Sequence, residues 1–284
     1  MIAITGATGQ LGRLIIEDLL QKVPANQIIA AVRTPAKAAA LAAKGVQVRE
    51  ADYSRPETLA SAFAGATKIL LISGSELGQR IPQHKAVIDA AKTAGVQLLA
   101  YTSLLRADTS TFLLAAEHLA TEQYLQASGL PYTLLRNGWY TENQTAAIPS
   151  ALQQGAFIGT SGDGRFAFAT RADYAAAAAA VLTGEGHANQ IYELAGDTSS
   201  TKAEFAAEVS RQTGKAIAYH NLPEEEYEKI LASFLPPALA HILADSDAKA
   251  ATGQLDDHSH TLSRLIGRPT TPVAEVIAAA LHHS

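Results

Sequence analysis

The chain has 284 residues, of which 48% are hydrophobic and 17% charged, and its formal net charge is −5. This length and composition are typical of a globular protein with one large or two moderate domains. The acidic balance and the lack of a Lys/Arg cluster argue against binding to nucleic acid or to an anionic membrane surface, because both require a basic patch. The sequence contains no cysteine, which excludes disulfides and thiolate chemistry.

The same features favour a cytoplasmic location. A chain without cysteine is compatible with a reducing compartment. No basic segment followed by an apolar stretch precedes the first motif, and no apolar run approaches the ~20 residues that span a bilayer. We therefore expect a soluble, cytoplasmic protein without membrane insertion.

The first dozen residues carry a phosphate-binding signature. A short apolar run from Ile2 to Ile4 predicts a buried strand, glycines follow with the spacing G-x-x-G-x-x-G, and apolar residues then recur at helical spacing as far as Leu20. Residues without a Cβ let the backbone approach a pyrophosphate, whose charge the helix N-terminus near Gln10 attracts. The motif predicts a dinucleotide site; the alternative is a turn used only for packing.

A second buried strand is predicted from Gln27 to Val32. The residue that follows such a strand usually distinguishes NAD from NADP. A site specific for NAD usually has Asp or Glu there for the ribose 2′-hydroxyl, whereas an arginine accommodates a 2′-phosphate. Val32 is followed by Arg33, whose planar guanidinium can make two hydrogen bonds to a phosphate, and Lys37 can add charge. The alternative is a solvated arginine. We predict NADP as cofactor, with NADPH preferred over NADH.

The next residues continue to alternate helix and strand. Helices are predicted over 35–44, 58–63 and 81–94, and strands over 46–50, 68–72 and 97–101. So many repeats in about a hundred residues require a parallel, doubly wound sheet. Ser73, Gly74 and Ser75 follow the fourth strand, at the edge where such a sheet binds its ligand. Asp52 follows the third strand, where it contacts the adenine or caps the next helix.

The helix predicted over 111–128 lacks the catalytic pair of ordinary short-chain dehydrogenases. Those enzymes usually carry Tyr-x-x-x-Lys there, and none of the nine tyrosines has a lysine four residues further on. His118 and Glu122 have that spacing instead. Such a pair more often forms a salt bridge or hydrogen bond than a catalytic dyad, and its role stays open.

Beyond residue 140 the pattern changes. After a Gly-rich loop the sequence predicts a strand over 166–170, an Ala-rich helix from Tyr174 and a strand over 190–194, and helices over 201–213, 223–234 and 237–251 follow. The fold class is therefore α/β, a doubly wound parallel Rossmann sheet with a smaller, mostly helical C-terminal domain that forms a cleft. We expect a dinucleotide-binding domain at 1–140 plus about 166–196, and a substrate-cleft domain at about 141–165 plus 197–284. The stretch 256–260 is typical of a polar loop rather than a metal site.

Four motifs together indicate a family. They are Thr-Gly-Ala-Thr-Gly at the start, Val-Arg-Thr-Pro-Ala-Lys after the second strand, Arg-Asn-Gly-Trp-Tyr-Thr-Glu-Asn at 136–143 and Arg-Ala-Asp-Tyr at 171–174. The whole chain resembles the NmrA-like branch of atypical short-chain dehydrogenases, and most closely its bacterial type 2 NAD(P)H:quinone oxidoreductases. Gly74 departs from the pattern, which has a serine there.

The resemblance implies a set of cofactor-binding residues. The cofactor is held by Gly6, Ala7, Thr8, Gly9, Gln10, Leu11 and Arg33. Its ribose and nicotinamide are enclosed by Ser73, Gly74, Ser75, Asn137, Gly138, Trp139, Tyr140 and Arg171.

The missing Tyr–Lys pair agrees with a quinone as substrate. A ketone reductase must protonate a developing alkoxide and needs a positioned acid, whereas a quinone accepts hydride into a delocalised phenolate that water protonates later. Stacking a flat acceptor on the nicotinamide then suffices. Trp139 and Tyr140 suit the substrate pocket, and the Asn143 amide suits a catalytic role in orienting the quinone. The alternatives are a packed tryptophan and a helix-capping asparagine.

We therefore predict NADPH-dependent two-electron reduction of a small planar quinone, without flavin or metal. The alternative is a non-catalytic NADP-binding redox sensor that acts through a protein partner. An isomerase is a third, weaker option, because that chemistry normally needs the tyrosine acid. The sequence leaves the oligomeric state open between monomer and homodimer.

Overall fold

The computed structural model describes residues 1–76 and 78–282, which form two compact units. Unit 1 comprises Met1–Leu104, Glu117–Asn137 and Tyr174–Tyr192, and unit 2 comprises Leu105–Ala116, Gly138–Asp173 and the residues from Glu193 onward. These bounds describe compactness only. The assignment of a cofactor domain and a substrate domain stays a prediction.

The central sheet has seven strands in the order β3-β2-β1-β4-β5-β6-β9, and all of its residues except Glu193 and Leu194 belong to unit 1. Its strands are β1 (Ile2–Thr5), β2 (Ile28–Val32), β3 (Gln47–Glu50), β4 (Lys68–Leu71), β5 (Leu98–Leu104), β6 (Tyr132–Asn137) and β9 (Gln190–Leu194). The neighbours from β3 to β6 pair in parallel, with Ile2 opposite both Ile28 and Lys68. The predicted doubly wound parallel sheet is confirmed.

Helices connect the strands, as parallel neighbours require. They are α1 (Gln10–Leu20), α2 (Ala39–Ala43), α3 (Pro56–Ala62), α4 (Arg80–Thr93), α5 (Ala115–Ala127) and α8 (Arg171–Thr183). Every residue of β1 and β2 is buried, as expected for central strands covered on both faces. One large core cluster includes Phe63, Leu99 and Tyr101.

Unit 2 is mostly helical, with two small strand pairs. Its helices are α6 (Thr141–Thr145), α7 (Ile148–Gln154), α9 (Lys202–Thr213), α10 (Glu224–Ala232), α11 (Pro237–Ala250), α12 (Thr261–Ile266) and α13 (Val273–His282). Strand β7 (Ala156–Gly159) pairs in parallel with β11 (Ala218–Asn221), and β8 (Arg165–Phe166) pairs antiparallel with β10 (Ser200–Thr201). Thr201 begins α9 with a capping box, in which its hydroxyl accepts from the Glu204 N–H.

The strand predicted over 166–170 is wrong in extent, because β8 ends at Phe166. The backbone beyond it bonds to several separate partners instead of one strand. The Ala167 N–H donates to the Leu255 carbonyl over 2.8 Å, and the Ala169 N–H donates to the Trp139 carbonyl over 3.3 Å. The alternating apolar residues are therefore buried without forming a ladder.

Candidate active site

The glycine turn after β1 is tight and closely packed. Gly6 has a φ of +58°, a conformation that favours glycine, and its carbonyl accepts from the Gly9 N–H over 2.9 Å. A Cβ on Gly12 would lie 2.5 Å from that same carbonyl oxygen, so only glycine lets α1 approach the turn. No side chain caps the N-terminus of α1 at Gly9, which leaves its first N–H groups available to a phosphate.

A cavity of about 330 Å³ opens at this turn and lies within unit 1. This volume is in the range of ligand sites. The cavity is lined by the glycine turn at Gly6, Thr8 and Gly9, the end of β2 at Val32 and Arg33, the segment 51–53 after β3, the segment 72–76 after β4, and Gln83. All of these except Gln83 lie at the carboxyl edge of the sheet, where doubly wound folds bind ligands.

The structure thus brings together seven of the residues expected to bind the cofactor. They are Gly6, Thr8, Gly9, Arg33, Ser73, Gly74 and Ser75. Ala7 and Leu11 are buried beside the turn and do not line the cavity. Gln10 is exposed as the first residue of α1.

Hydrogen bonds of Thr5 and Tyr53 connect segments that line the cavity. The Thr5 hydroxyl donates to the Leu70 carbonyl over 3.1 Å and accepts from the Ile72 N–H over 3.0 Å, which joins the ends of β1 and β4. The Tyr53 hydroxyl contacts Thr5 Oγ1 and the Ile72 carbonyl. Burial raises the pKa of Tyr53, so its hydroxyl stays a neutral donor. Tyr53 and Gln83 line the cavity but were not in the predicted site.

The basic residue of the cavity is already paired with an acid. Arg33 Nη1 lies 2.7 Å from Glu76 Oε1, and the two side chains are 68% and 46% exposed. Glu76 Oε2 also accepts from Gln83 Nε2 over 2.7 Å. Asp52 lines the same cavity and accepts from the Ser54 N–H over 3.0 Å. It does not cap α3, whose N-cap is Arg55.

The residues predicted to contact the quinone gather in unit 2. Arg171 Nη2 donates to Asn143 Oδ1 over 2.7 Å, and the guanidinium lies 4.5 Å from the centre of the Tyr140 ring. The backbone N–H of Arg171 donates to Glu142 Oε1 over 2.9 Å. Asn143 lies inside α6, and α7 begins after Ala147 without a side-chain cap. The capping alternative for Asn143 is therefore wrong.

Two flanking residues of that motif lie at the end of β6 and directly after it. The Gly138 N–H donates to the Leu194 carbonyl over 2.8 Å. Asn137 ends β6, and its buried Oδ1 accepts no hydrogen bond from a described residue. A buried acceptor without a donor is costly, so this oxygen is available to a ligand.

His118 and Glu122 do not form a pair with each other. His118 Nδ1 lies 2.7 Å from the Tyr101 hydroxyl, and burial lowers its pKa well below the usual range. Glu122 makes two hydrogen bonds with Arg136, of 2.9 and 2.6 Å. Both side chains are buried. They serve separate interactions in the core, and neither lines the cavity.

A glycine turn at the carboxyl edge of a parallel sheet, an uncapped helix N-terminus and an arginine beyond β2 define a Rossmann-type dinucleotide-binding protein. A family model described as NAD(P)H-binding matches residues 6–185. The chain belongs to this NAD(P)H-binding, NmrA-like family, and the predicted family is confirmed.

Particular relatives resemble the chain over its full length. Quinone oxidoreductase 2 of Escherichia coli strain K12 is 58% identical, and the match covers 98% of each chain. The crystal structure of the NADPH-dependent quinone oxidoreductase of E. coli complexed with NADPH matches with a TM-score of 0.97 at 57% identity, over 99% of this chain and 100% of that one. The triphenylmethane reductase of Citrobacter sp. complexed with NADP(H) matches with a TM-score of 0.94 at 41% identity, over 99% and 100%.

Within residues 1–76 and 78–282, no helix is both long and apolar enough to cross a membrane.

Proposed function

We propose that this protein catalyses the two-electron reduction of quinones by NADPH. The balanced reaction is quinone + NADPH + H⁺ → hydroquinone + NADP⁺. The observation that carries the proposal is the 58% identity, over nearly the whole of both chains, to quinone oxidoreductase 2 of E. coli. The glycine turn and Arg33 add a physical reason, because they suit a dinucleotide with a 2′-phosphate.

The cofactor residues divide by the part of NADPH that they contact. Gly6, Gly9 and the first N–H groups of α1 suit the pyrophosphate, since residues without a Cβ let the backbone approach a phosphate. Arg33 suits the 2′-phosphate. When bound, the cofactor supplies the hydride. The protein itself binds the cofactor and the quinone, orients them and excludes water.

The quinone-contacting residues are Trp139, Tyr140 and Asn143. Arg171 donates to Asn143 Oδ1, so the oxygen of the amide is already in use. The other amide atom, Nδ2, is a hydrogen-bond donor and donates to no described residue. This N–H group suits a quinone oxygen that gains negative charge. The delocalised phenolate needs no adjacent acid, which agrees with the missing Tyr–Lys pair. The Citrobacter relative is a triphenylmethane reductase, and triphenylmethane dyes share with quinones an extended conjugated system.

A cytoplasmic location belongs to the same proposal, since the reaction consumes NADPH. Cell fractionation tests it, and recovery of the protein only with membranes would contradict it.

Absorbance of NADPH tests the activity directly. Purified protein is mixed with NADPH and benzoquinone, and the loss of NADPH is compared with the rate without protein and with the rate when NADH replaces NADPH. We expect turnover far above background and a higher kcat/KM for NADPH than for NADH. Tight binding of NADPH without turnover would contradict the reductase and favour the redox sensor, whose partner would then be sought by comparing loaded and empty protein.

A further inference from the structure

The segment Ile72–Glu76 lines the cavity without regular secondary structure. A segment of this kind loses conformational entropy when a ligand orders it, and this loss weakens binding. Contacts that order it beforehand therefore strengthen binding. These five residues belong to neither a helix nor a strand, so contacts from other elements must order them.

Both backbone groups of Gly74 are held by side chains of α4. The Gly74 N–H donates to His84 Nε2 over 2.9 Å, and the Gly74 carbonyl accepts from Arg80 Nε over 2.9 Å. Arg80 is 5% exposed and His84 is fully buried. The two residues are four positions apart, so they lie on one face of the helix. They form a two-point clamp on a single glycine.

The clamp is anchored in turn on α5. Since Gly74 donates to Nε2, the proton of the neutral His84 ring is on Nδ1, which lies 3.0 Å from Thr121 Oγ1. The Thr121 hydroxyl donates to the Glu117 carbonyl over 2.8 Å. The Arg80 guanidinium lies 2.9 Å from the Glu117 carboxylate. Both clamping side chains are thus fixed by a second helix.

The protonation state of His84 suits this arrangement. A protonated ring would carry a proton on Nε2 and could not accept from the Gly74 N–H. Burial, together with the charge of Arg80, lowers the pKa of His84 to about 3. The ring remains an acceptor at neutral pH.

We propose that Arg80 and His84 are positioning residues for NADPH binding, which hold the Gly74 backbone so that Ser73–Glu76 form one wall of the cavity before the cofactor arrives. The inference rests on the proposed function in one respect, that NADPH is the ligand of this cavity. It goes beyond that function by assigning roles to two buried residues outside the cavity lining.

A pair of matched substitutions separates positioning from general stability. In His84→Gln the amide oxygen reaches the place of Nε2 and can still accept from Gly74, whereas in His84→Asn the amide reaches only the place of Nδ1. Both variants remove the ring. We expect His84→Asn to weaken NADPH binding about fivefold to tenfold, the effect of one lost hydrogen bond, with kcat at saturating NADPH within about twofold. We expect His84→Gln to bind NADPH close to the parent protein.

Titration of NADPH, followed by its fluorescence, measures the dissociation constants, and thermal unfolding measures the stability of each variant. A structural role alone would lower Tm in both variants and leave their dissociation constants equal. Equal dissociation constants, whether both unchanged or both raised, would overturn the proposal. Because the readout is binding, a parent protein that binds NADPH without reducing benzoquinone would contradict the proposed activity and leave this comparison valid.

Hydrogen exchange tests the clamp without any substitution. The Gly74 amide is expected to exchange at least about tenfold more slowly than the Ser75 amide, which donates to no described residue. Equal exchange rates would show that the clamp is open in solution and would also overturn the proposal.

Discussion

Arg33 and Glu76 face each other at the cavity, with Nη1 of the arginine 2.7 Å from Oε1 of the glutamate. The cation suited to a 2′-phosphate is thus paired with an anion. Phosphate and carboxylate carry the same sign of charge, so we expect Glu76 to compete with the 2′-phosphate for the Nη1 group of Arg33.

Glu76→Gln is expected to tighten NADPH binding. The substitution removes a competing carboxylate, and since an exposed ion pair contributes about 0–1 kcal/mol, the gain is up to about fivefold. NADH, which lacks the 2′-phosphate, should gain little. Glu17→Gln is the matched control, because Glu17 is exposed in unit 1 and lies outside the cavity lining. Weaker NADPH binding in Glu76→Gln would show that the carboxylate helps to hold the cofactor.

Arg33→Ala is expected to raise the KM for NADPH by about 10- to 100-fold, because hydrogen bonds to a charged group contribute about 1.5–3 kcal/mol. The KM for NADH should stay within about twofold of the parent. Arg33→Lys keeps the charge without the planar fork, so its KM should lie between the two. Steady-state kinetics with both cofactors make the measurement. Lys22→Ala removes an exposed positive charge elsewhere in unit 1 and serves as control. An equal loss for NADPH and NADH in Arg33→Ala would refute the phosphate role.

Gly12→Ala and Gly74→Ser are expected to differ in stability. A Cβ at Gly12 would lie 2.5 Å from a backbone oxygen, and we expect a loss of about 1–3 kcal/mol in the free energy of unfolding. At Gly74 the nearest atom to a Cβ is the flexible Gln83 Oε1, at 3.3 Å, and the change should stay within about 1 kcal/mol. Urea unfolding compares the two variants. Similar losses in both variants would mean that the close approach of α1 to the turn does not determine the effect of a substitution on stability.

The free energy of unfolding is expected to fall as the pH drops below about 6.5. Burial lowers the pKa of His84 to about 3 and that of His118 well below its usual range. Above about pH 6.5 both histidines are neutral in the folded and in the unfolded state. Below that pH the unfolded chain binds a proton at each ring and the folded protein does not. Each ring therefore lowers the free energy of unfolding by up to about 1.4 kcal/mol per pH unit.

Urea unfolding between about pH 7 and about pH 5 tests this dependence above the range where most carboxylates titrate. His84→Gln should show a smaller slope than the parent protein. A free energy of unfolding that is constant over this range would contradict the buried neutral state of both rings.

Asn143→Ala is expected to lower kcat/KM for benzoquinone by about tenfold or more, because it removes a donor to the developing charge. Asn143→Asp keeps an acceptor for Arg171 but has no N–H group, so it should lose as much. NADPH affinity should change little in either variant. Gln153→Ala, at an exposed amide on α7, is the control. Full activity in Asn143→Asp would exclude the amide N–H as a donor to quinone.

Much of unit 1 follows from local sequence. The apolar runs that became β1 and β2 are buried along their whole length, and residues that follow such strands in a parallel sheet must meet at one edge. Gly6, Arg33 and Ser73 could therefore be placed at a common site from sequence alone.

Other features depend on contacts between distant residues. Nothing near Arg33 in sequence indicates that Glu76, 43 positions away, would pair with it. His84 is part of an unremarkable helical pattern, and only the packing of α4 places its ring beside Gly74. Phe166 and Phe168 alternate as in a strand, yet the backbone between them bonds to a separate loop. The alternation of apolar residues there predicts which side chains are buried, but it does not predict which group the backbone bonds to.

Direct reduction of a quinone by NADPH is tested most directly by the amount of hydroquinone that purified protein forms per NADPH, without added flavin and in the absence of oxygen. Equal amounts, from protein whose absorbance spectrum shows no flavin and without a semiquinone signal in electron paramagnetic resonance, are the result that a direct two-electron transfer predicts. Formation of hydroquinone only after flavin is added would contradict it.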